Sequence, residues 1–133
     1  MILPMKIKRI RFSACVGDWN SVDWSRSDYI LSDTYVDTLR TLAQRGVKIT
    51  YVLTFWDTDN HPDGQWHTEQ NRFKNEEDIQ RYLDYIRYVA TKCKGIVLNY
   101  EFFNEPSRTD SPIQYIEPQD YVNLVRRAVP VIR

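Results

Sequence analysis

The sequence has few of the residues that mark several common classes of protein. Only two of its 133 residues are cysteines, Cys15 and Cys93, and only four are glycines. Two cysteines do not make a disulfide framework, and their places after a predicted strand and near a predicted helix end favour buried free thiols. No loop that follows a predicted strand is rich in glycine, so a phosphate-binding turn of a nucleotide-binding sheet is not expected. We therefore expect no cofactor.

An excess of charge of one sign is also missing. The 18 basic and 18 acidic side chains give a formal net charge of zero, so nucleic-acid binding has little electrostatic support. No run approaches the ~20 apolar residues of a membrane helix. Residues 1–4 are followed at once by Lys6, Lys8 and Arg9 and do not form the apolar part of a signal peptide. These absences predict a soluble protein with no nucleic-acid or membrane partner, and they leave its compartment open.

The two histidines do not predict a metal site. His61 and His67 lie in a polar stretch at 57–74, and their spacing matches no common pattern of metal ligands. Loops longer than ~12–15 residues are often functional. A role for Trp66 or His67 in contacting a substrate is therefore the better hypothesis for this stretch.

What the sequence does contain is an alternation of strand and helix patterns. The predicted strands cover residues 6–14, 47–56 and 95–103, and the predicted helices start at Ser32, Asn75 and Pro118. Ser32 and Asn75 are good N-caps, and Pro118 suits a first helical position. Gly46 supplies a left-handed residue after the first helix, whereas Pro130 should kink or end the third. This repeat predicts a parallel α/β sheet, either doubly wound or a sector of a barrel.

The most informative stretch runs from residue 95 to residue 106. The apolar run at 96–98 suits a strand that is buried on both faces. Glu101 and Glu105 follow with the same alternation parity, so one pleated strand would point both carboxylates to one side. Pro106 then ends the ladder. A carboxylate at the carboxyl end of a parallel strand occupies the position at which α/β barrels carry their catalytic groups.

The segment Tyr-Glu-Phe-Phe-Asn-Glu-Pro at 100–106 resembles the signature of the clan A glycoside hydrolases. These are (β/α)8 barrels that cleave glycosidic bonds with retention of configuration. The resemblance implies that Glu105 is the general acid/base at the end of the fourth barrel strand. It also implies that Asn104 binds the sugar hydroxyl next to the cleaved bond.

Three further residues are candidates for contacting a carbohydrate. The resemblance places Arg11 on the second barrel strand, pointing into the active site, although a plain arginine at a sheet edge fits as well. Arg11 could also pair with Glu101, because inward charges in a barrel must be compensated. Trp56 and Trp66 are candidate platforms for stacking on sugar rings, although Trp56 suits a core or rim position equally.

The chain is short for this fold, since a full barrel needs about 250 residues. We therefore expect residues 1–133 to form a single partial-barrel domain, a fragment with the second, third and fourth strands. The family's nucleophile lies on the seventh strand, which is missing. Glu101 cannot easily replace it, because four strand residues at ~3.3 Å each separate it from Glu105 by about 13 Å. The outer strands would be open edges, so either a homo-oligomer or a missing barrel half is expected to cover them.

Two functions follow from these observations. The first is a sector of a retaining glycoside hydrolase that carries the acid/base but is inactive alone, with an oligo- or polysaccharide as partner. The alternative is a carbohydrate-binding or scaffold protein on a partial barrel that catalyses no reaction. In that case Trp24, Trp56 and Trp66 would matter more than Glu105.

Overall fold

Three parallel strands alternate with three helices in the computed structural model, which describes residues 6–13, 31–54, 73–110 and 115–133. The elements in chain order are β1 (Arg9–Ser13), α1 (Asp33–Gln44), β2 (Lys48–Leu53), α2 (Glu76–Lys92), β3 (Asn99–Phe102) and α3 (Pro118–Ile132). The predicted α/β alternation is therefore confirmed. Strands β2 and β3 are shorter than predicted at both ends, and β1 begins three residues later than predicted.

The sheet has the order β1-β2-β3, with β2 in the centre and both pairs parallel. In the register, Arg11 lies opposite Thr50, and Val52 lies between Ser13 and Glu101. Parallel pairing brings the carboxyl ends of all three strands to one edge of the sheet. Within the described part of the chain, β1 and β3 are the two open edges, as the sequence predicted.

The predicted third strand begins four residues too early, at residue 95 and not at Asn99. The carbonyl of Cys93 accepts hydrogen bonds from the amides of Ile96 and Val97, at 2.9 and 3.1 Å, and Gly95 has a left-handed φ of 74°. These residues prolong the turn that leaves α2, so the chain enters the sheet only at Asn99. Ile96 and Val97 are buried as expected, but Leu98 is 71% exposed. A strand buried on both faces is therefore wrong for this run.

The hydrophobic core lies on one face of the sheet. Ile49, Tyr51 and Leu53 alternate along β2 and point into it. The helices contribute Val36, Leu39, Leu42, Ile79, Tyr82, Leu83, Ile86, Val89, Leu124 and Ala128. Val52 is also buried but lies outside this cluster, on the opposite face. All three described helices thus pack on one side, and no described helix covers the other.

The helix ends follow the signals in the sequence, with one exception. The Ser32 hydroxyl accepts from the amide of Tyr35, and the Asn75 side chain accepts from the amide of Asp78 at 2.8 Å. Pro130 does not end α3, which continues to Ile132. Pro130 removes the amide that would bond the carbonyl of Arg126, but both residues are exposed, so water can satisfy that carbonyl. None of the described helices is long and apolar enough to cross a membrane.

Cys93 is a buried free thiol, as predicted. Burial raises the pKa of this thiol to about 11, so it is protonated near neutral pH. Cys15 lies outside the described residues.

Candidate functional site

The face of the sheet opposite the helices is polar, and it carries the residues that the sequence singled out. Alternation along β1 places Arg9, Arg11 and Ser13 on this face, because Ile10 and Phe12 pack against the core. Thr50 and Val52 of β2 and Glu101 of β3 continue the same face across the register.

Arg11 and Glu101 form an ion pair that crosses the central strand. The Arg11 guanidinium donates from Nε to Oε2 at 2.8 Å and from Nη2 to Oε1 at 2.6 Å. Strands two positions apart are about 10 Å apart, so the long arginine side chain is needed to span them. The pair lies over β2 where Val52, only 1% exposed, has no described helix above it. The predicted pairing of Arg11 with Glu101 is confirmed.

This contact stabilises the charged forms of both partners. Hydrogen bonding to Glu101 raises the pKa of Arg11, with a weaker contribution from the charge of Glu105. The Arg11 hydrogen bond in turn lowers the pKa of Glu101. Glu101 is therefore ionised at neutral pH, and the carboxylate of Glu105 lies within electrostatic reach of Arg11.

Asn104 joins the same cluster. Arg11 Nη2 donates to Asn104 Oδ1 at 3.0 Å, so the guanidinium binds a carboxylate and an amide together. Because the amide oxygen faces Arg11, the Nδ2 group of Asn104 is turned away from the guanidinium. The structure thus brings together two predicted site residues, Arg11 and Asn104, and the predicted ion-pair partner of Arg11, Glu101.

Glu105 does not continue the alternation of β3, and this part of the prediction is wrong. The strand ends at Phe102, and both Phe103 and Glu105 have left-handed φ angles, 62° and 50°. Non-glycine residues seldom adopt this region, and such strain is typical of functional sites. Phe103 is anchored in the core by rings of Phe73 and Tyr82. The chain turns there, so Glu105 leaves the pleat that holds Glu101.

Arg108 is a neighbour of Glu105 that the sequence reasoning missed. Its Nη1 donates to Glu105 Oε2 at 3.3 Å, and its Nε donates to Asp110 Oδ1 at 2.8 Å. A backbone hydrogen bond from the Arg108 amide to the Glu105 carbonyl closes this turn. The contact with Arg108 lowers the pKa of Asp110. An arginine three residues after a glutamate in a predicted loop was the available signal. The Glu105 side chain remains 56% exposed.

Two hydroxyl groups complete the described part of this edge. Ser13 Oγ and Thr54 Oγ1 are 3.1 Å apart, where β1 and β2 end. The sequence reasoning also missed this pair. The signal was parity, since Ser13 follows Arg11 by two residues and Thr54 follows Val52 by two.

The remaining candidates lie outside the described residues. These are Trp56 and Trp66, together with Trp24, His61 and His67. Among the residues that are described, no group of three His, Cys, Asp or Glu side chains is placed to hold a metal ion.

Comparisons of the chain with protein-family models, with curated proteins and with solved structures found no match.

Proposed function

We propose that the chain is a (β/α)8-barrel sector of a retaining glycoside hydrolase, with Glu105 as the general acid/base. The observation that carries the proposal is the cluster at the carboxyl edge of the sheet. There Arg11 binds Glu101 and Asn104 at 2.6–3.0 Å, and Asn104 directly precedes Glu105 in the chain. Arg11 comes from β1, Glu101 from β3, and Asn104 and Glu105 from the turn after β3. Active sites of barrels are likewise built from the carboxyl ends of several strands.

The arrangement of helices supports the barrel. In a doubly wound sheet, helices cover both faces, and both faces are apolar. Here all the described helices lie on one face, and the other carries Arg11, Thr50 and Glu101. A polar inner face with charges that compensate each other is typical of a barrel whose strands line a substrate cleft.

In this proposal each residue of the cluster has a chemical task. Glu105 is exposed enough to reach a ligand, and as an acid it would give its proton to the leaving oxygen of a glycosidic bond. As a carboxylate it would then take a proton from water. Arg11 holds the oxygen of the Asn104 amide, which leaves the Nδ2 group to donate to a sugar hydroxyl.

A retaining mechanism needs a second carboxylate as nucleophile, about 5–5.5 Å from the first. Glu101 and Asp110 are the described carboxylates tied to this cluster, and an arginine holds each of them by two hydrogen bonds. A carboxylate engaged in this way is a poor nucleophile. We therefore propose that residues other than Glu101 and Asp110 supply it.

The engagement of these two carboxylates also favours a second candidate function. If no further carboxylate completes the site, the cluster binds a sugar without cleaving it. Arg11 and Asn104 would then be the binding groups, and Glu105 would be a hydrogen-bond acceptor.

Sugar binding tests the proposal directly. Isothermal titration of the chain with cello-, xylo- and manno-oligosaccharides should show saturable binding of at least one of them. Asn104→Ala should weaken that binding by about tenfold, the cost of one or two hydrogen bonds to a ligand. Glu105→Gln keeps the size of the side chain and should bind within a few-fold of wild type.

Asn99→Ala is a matched control, because it removes an asparagine at the opposite end of β3. It should leave binding unchanged. Absence of binding to every sugar in the panel, or equal losses for Asn104→Ala and Asn99→Ala, would contradict the proposal.

A further inference from the structure

The amino edge of the sheet, at the end opposite to Glu105, holds an open groove of about 570 Å³ with a strongly basic lining. Five of its lining residues are cations and none is acidic: Lys6, Lys8, Arg9, Arg45 and Lys48. This concentration occurs in a chain whose formal net charge is zero. The five side chains are exposed, so their charged groups can meet a ligand.

Secondary structure fixes four of these cations in place. Arg9 and Lys48 are the first residues of β1 and β2 and lie opposite each other in the register. The amide of Lys48 donates to the carbonyl of Lys8 at 2.9 Å, which extends the pairing by one residue. Arg45 follows α1 directly, and the left-handed Gly46 turns the chain from α1 towards β2. The positive charges therefore converge because of the fold.

Other cations of the described chain show a contrasting arrangement. Arg11, Lys74, Lys92, Arg108 and Arg127 each form an ion pair with an acidic side chain. None of the five groove cations does so within the described residues. The dipole of α1 favours a cation at its carboxyl end and so accounts for Arg45, but it gives no reason for lysines and arginines at the starts of two strands.

These five like charges, which have no acidic partner among the described residues, repel one another, and a bound anion would relieve that repulsion. Guanidinium groups bind phosphate and sulfate through two hydrogen bonds, and ammonium groups bind them as point charges. The volume of the groove falls within the ~300–1,000 Å³ range of small-molecule sites. Most such sites are lined by apolar groups, so the five cations of this groove favour an anionic ligand. We propose that this groove binds a small ligand that carries two or more phosphate or sulfate groups.

Titration calorimetry on the whole chain at low salt tests this, with inorganic pyrophosphate and a sulfated oligosaccharide as probes. We expect saturable binding of at least one probe. Pyrophosphate alone indicates a free phosphorylated ligand, and the sulfated sugar alone indicates an anionic glycan. Arg45→Glu/Lys48→Glu should weaken binding by at least about tenfold, since two charge-assisted contacts become repulsive.

Arg126→Glu/Arg133→Glu is the matched control, because it makes the same change in net charge at exposed residues of α3 and the C-terminus. It should bind within about twofold of wild type. If the charge reversals in the groove prevent folding, Arg45→Gln/Lys48→Gln serves instead. Absence of saturable binding of both probes, or equal losses in the groove and control variants, would overturn the proposal. Neither result bears on the proposal for Glu105, which is tested with neutral sugars and with variants at the opposite edge of the sheet.

Discussion

At the scale of single residues, Arg11 is the centre of the carboxyl edge. It binds the side chains of Glu101 and Asn104 from the far side of β2. Both members of the ion pair are about half exposed, with side-chain exposures of 51% and 41%, so solvent screens their attraction. The value of the pair is therefore mainly positional, since it sets the direction of the Asn104 amide.

Glu101→Gln provides a pH-dependent test of this ion pair. The variant should be less stable than wild type at pH 7, by no more than about 1 kcal/mol for a pair this exposed. The pair lowers the pKa of Glu101, so its stabilisation is fully present above the ordinary glutamate pKa of about 4.3 and is lost as the pH falls through the lowered value. The gap in the free energy of unfolding, measured by urea denaturation, should close in acid.

Asp84→Asn is the matched control, because it removes the acid of an exposed pair with Arg87 on α2. It should leave the binding of sugars unchanged, whereas Glu101→Gln should weaken it by releasing Arg11. A stability gap for Glu101→Gln that is the same at neutral and acid pH would contradict the role assigned to the pair.

The residue types predicted only part of the cluster around Arg11. Arg11 and Glu101 could be paired from the need to compensate inward charges. The turn at Phe103 and Glu105 could not be foreseen, because non-glycine residues seldom adopt positive φ. The contact of Arg108 with Glu105 depends on that turn, so it was also missed.

At the scale of elements, the helices are defined by their ends. Asn75 accepts a hydrogen bond from the Asp78 amide, and three acidic residues in the first turn of α2 complement its dipole. These signals for the start of a helix lie within three or four consecutive residues of the sequence. This explains why the helix starts were predicted closely, whereas the start of β3 was not.

Asn75→Ala should lower the free energy of unfolding by about 1 kcal/mol, the usual cost of losing an N-cap. Thermal and urea unfolding followed by circular dichroism measures it. Asn75→Asp keeps an acceptor oxygen at the cap and should remain within a few tenths of a kcal/mol of wild type. Equal stability of Asn75→Ala and wild type would show that the cap contributes nothing.

The start of β3 is set by contacts that no local pattern reveals. The run at 96–98 has the composition of a strand, but the amides of Ile96 and Val97 donate hydrogen bonds to the carbonyl of Cys93. Where a strand begins depends on which partner a backbone amide finds, and that partner lies in the turn after α2. The buried stripe of α2, in contrast, follows directly from helical spacing.

At the scale of the whole molecule, a small parallel sheet has all of the described helices on one face. Parallel sheets are normally covered on both faces. The described strands β1 and β3 are open edges, which invite pairing with another chain. Leu98, which is 71% exposed and directly precedes β3, is an apolar contact point beside one of these edges.

We expect the chain to self-associate, and Leu98→Lys should shift it towards the monomer, because a charge beside an edge strand opposes pairing. Light scattering coupled to size-exclusion chromatography at several protein concentrations measures this. Val122→Lys is the control, since Val122 is the other exposed large apolar residue of the described chain and lies on α3. A wild-type chain that stays monomeric at every concentration would contradict this expectation.

The order of elements and the parallel arrangement were predictable at this scale, because βα repeats and handed crossovers leave few alternatives. The basic groove was not predictable, and of the polar face only the pairing of Arg11 with Glu101 was. Both depend on which residues of different strands the register places side by side, for example Arg9 with Lys48.

The most direct test of the central claim is rescue by an added nucleophile. The chain is mixed with azide and with aryl glycosides of several sugars that differ in leaving group. In the proposed mechanism, azide would attack the anomeric carbon as the glycosidic bond breaks, and the Glu105 carboxyl group would give its proton to the departing oxygen. If Glu105 is the acid/base, azide-dependent release of poor leaving groups should fall at least about a hundredfold in Glu105→Gln. Release of highly activated leaving groups, which need no proton, should remain nearly unchanged. Azide-dependent release of poor leaving groups that is equal in wild type and Glu105→Gln, or absent from both although the chain binds the sugar, would contradict it.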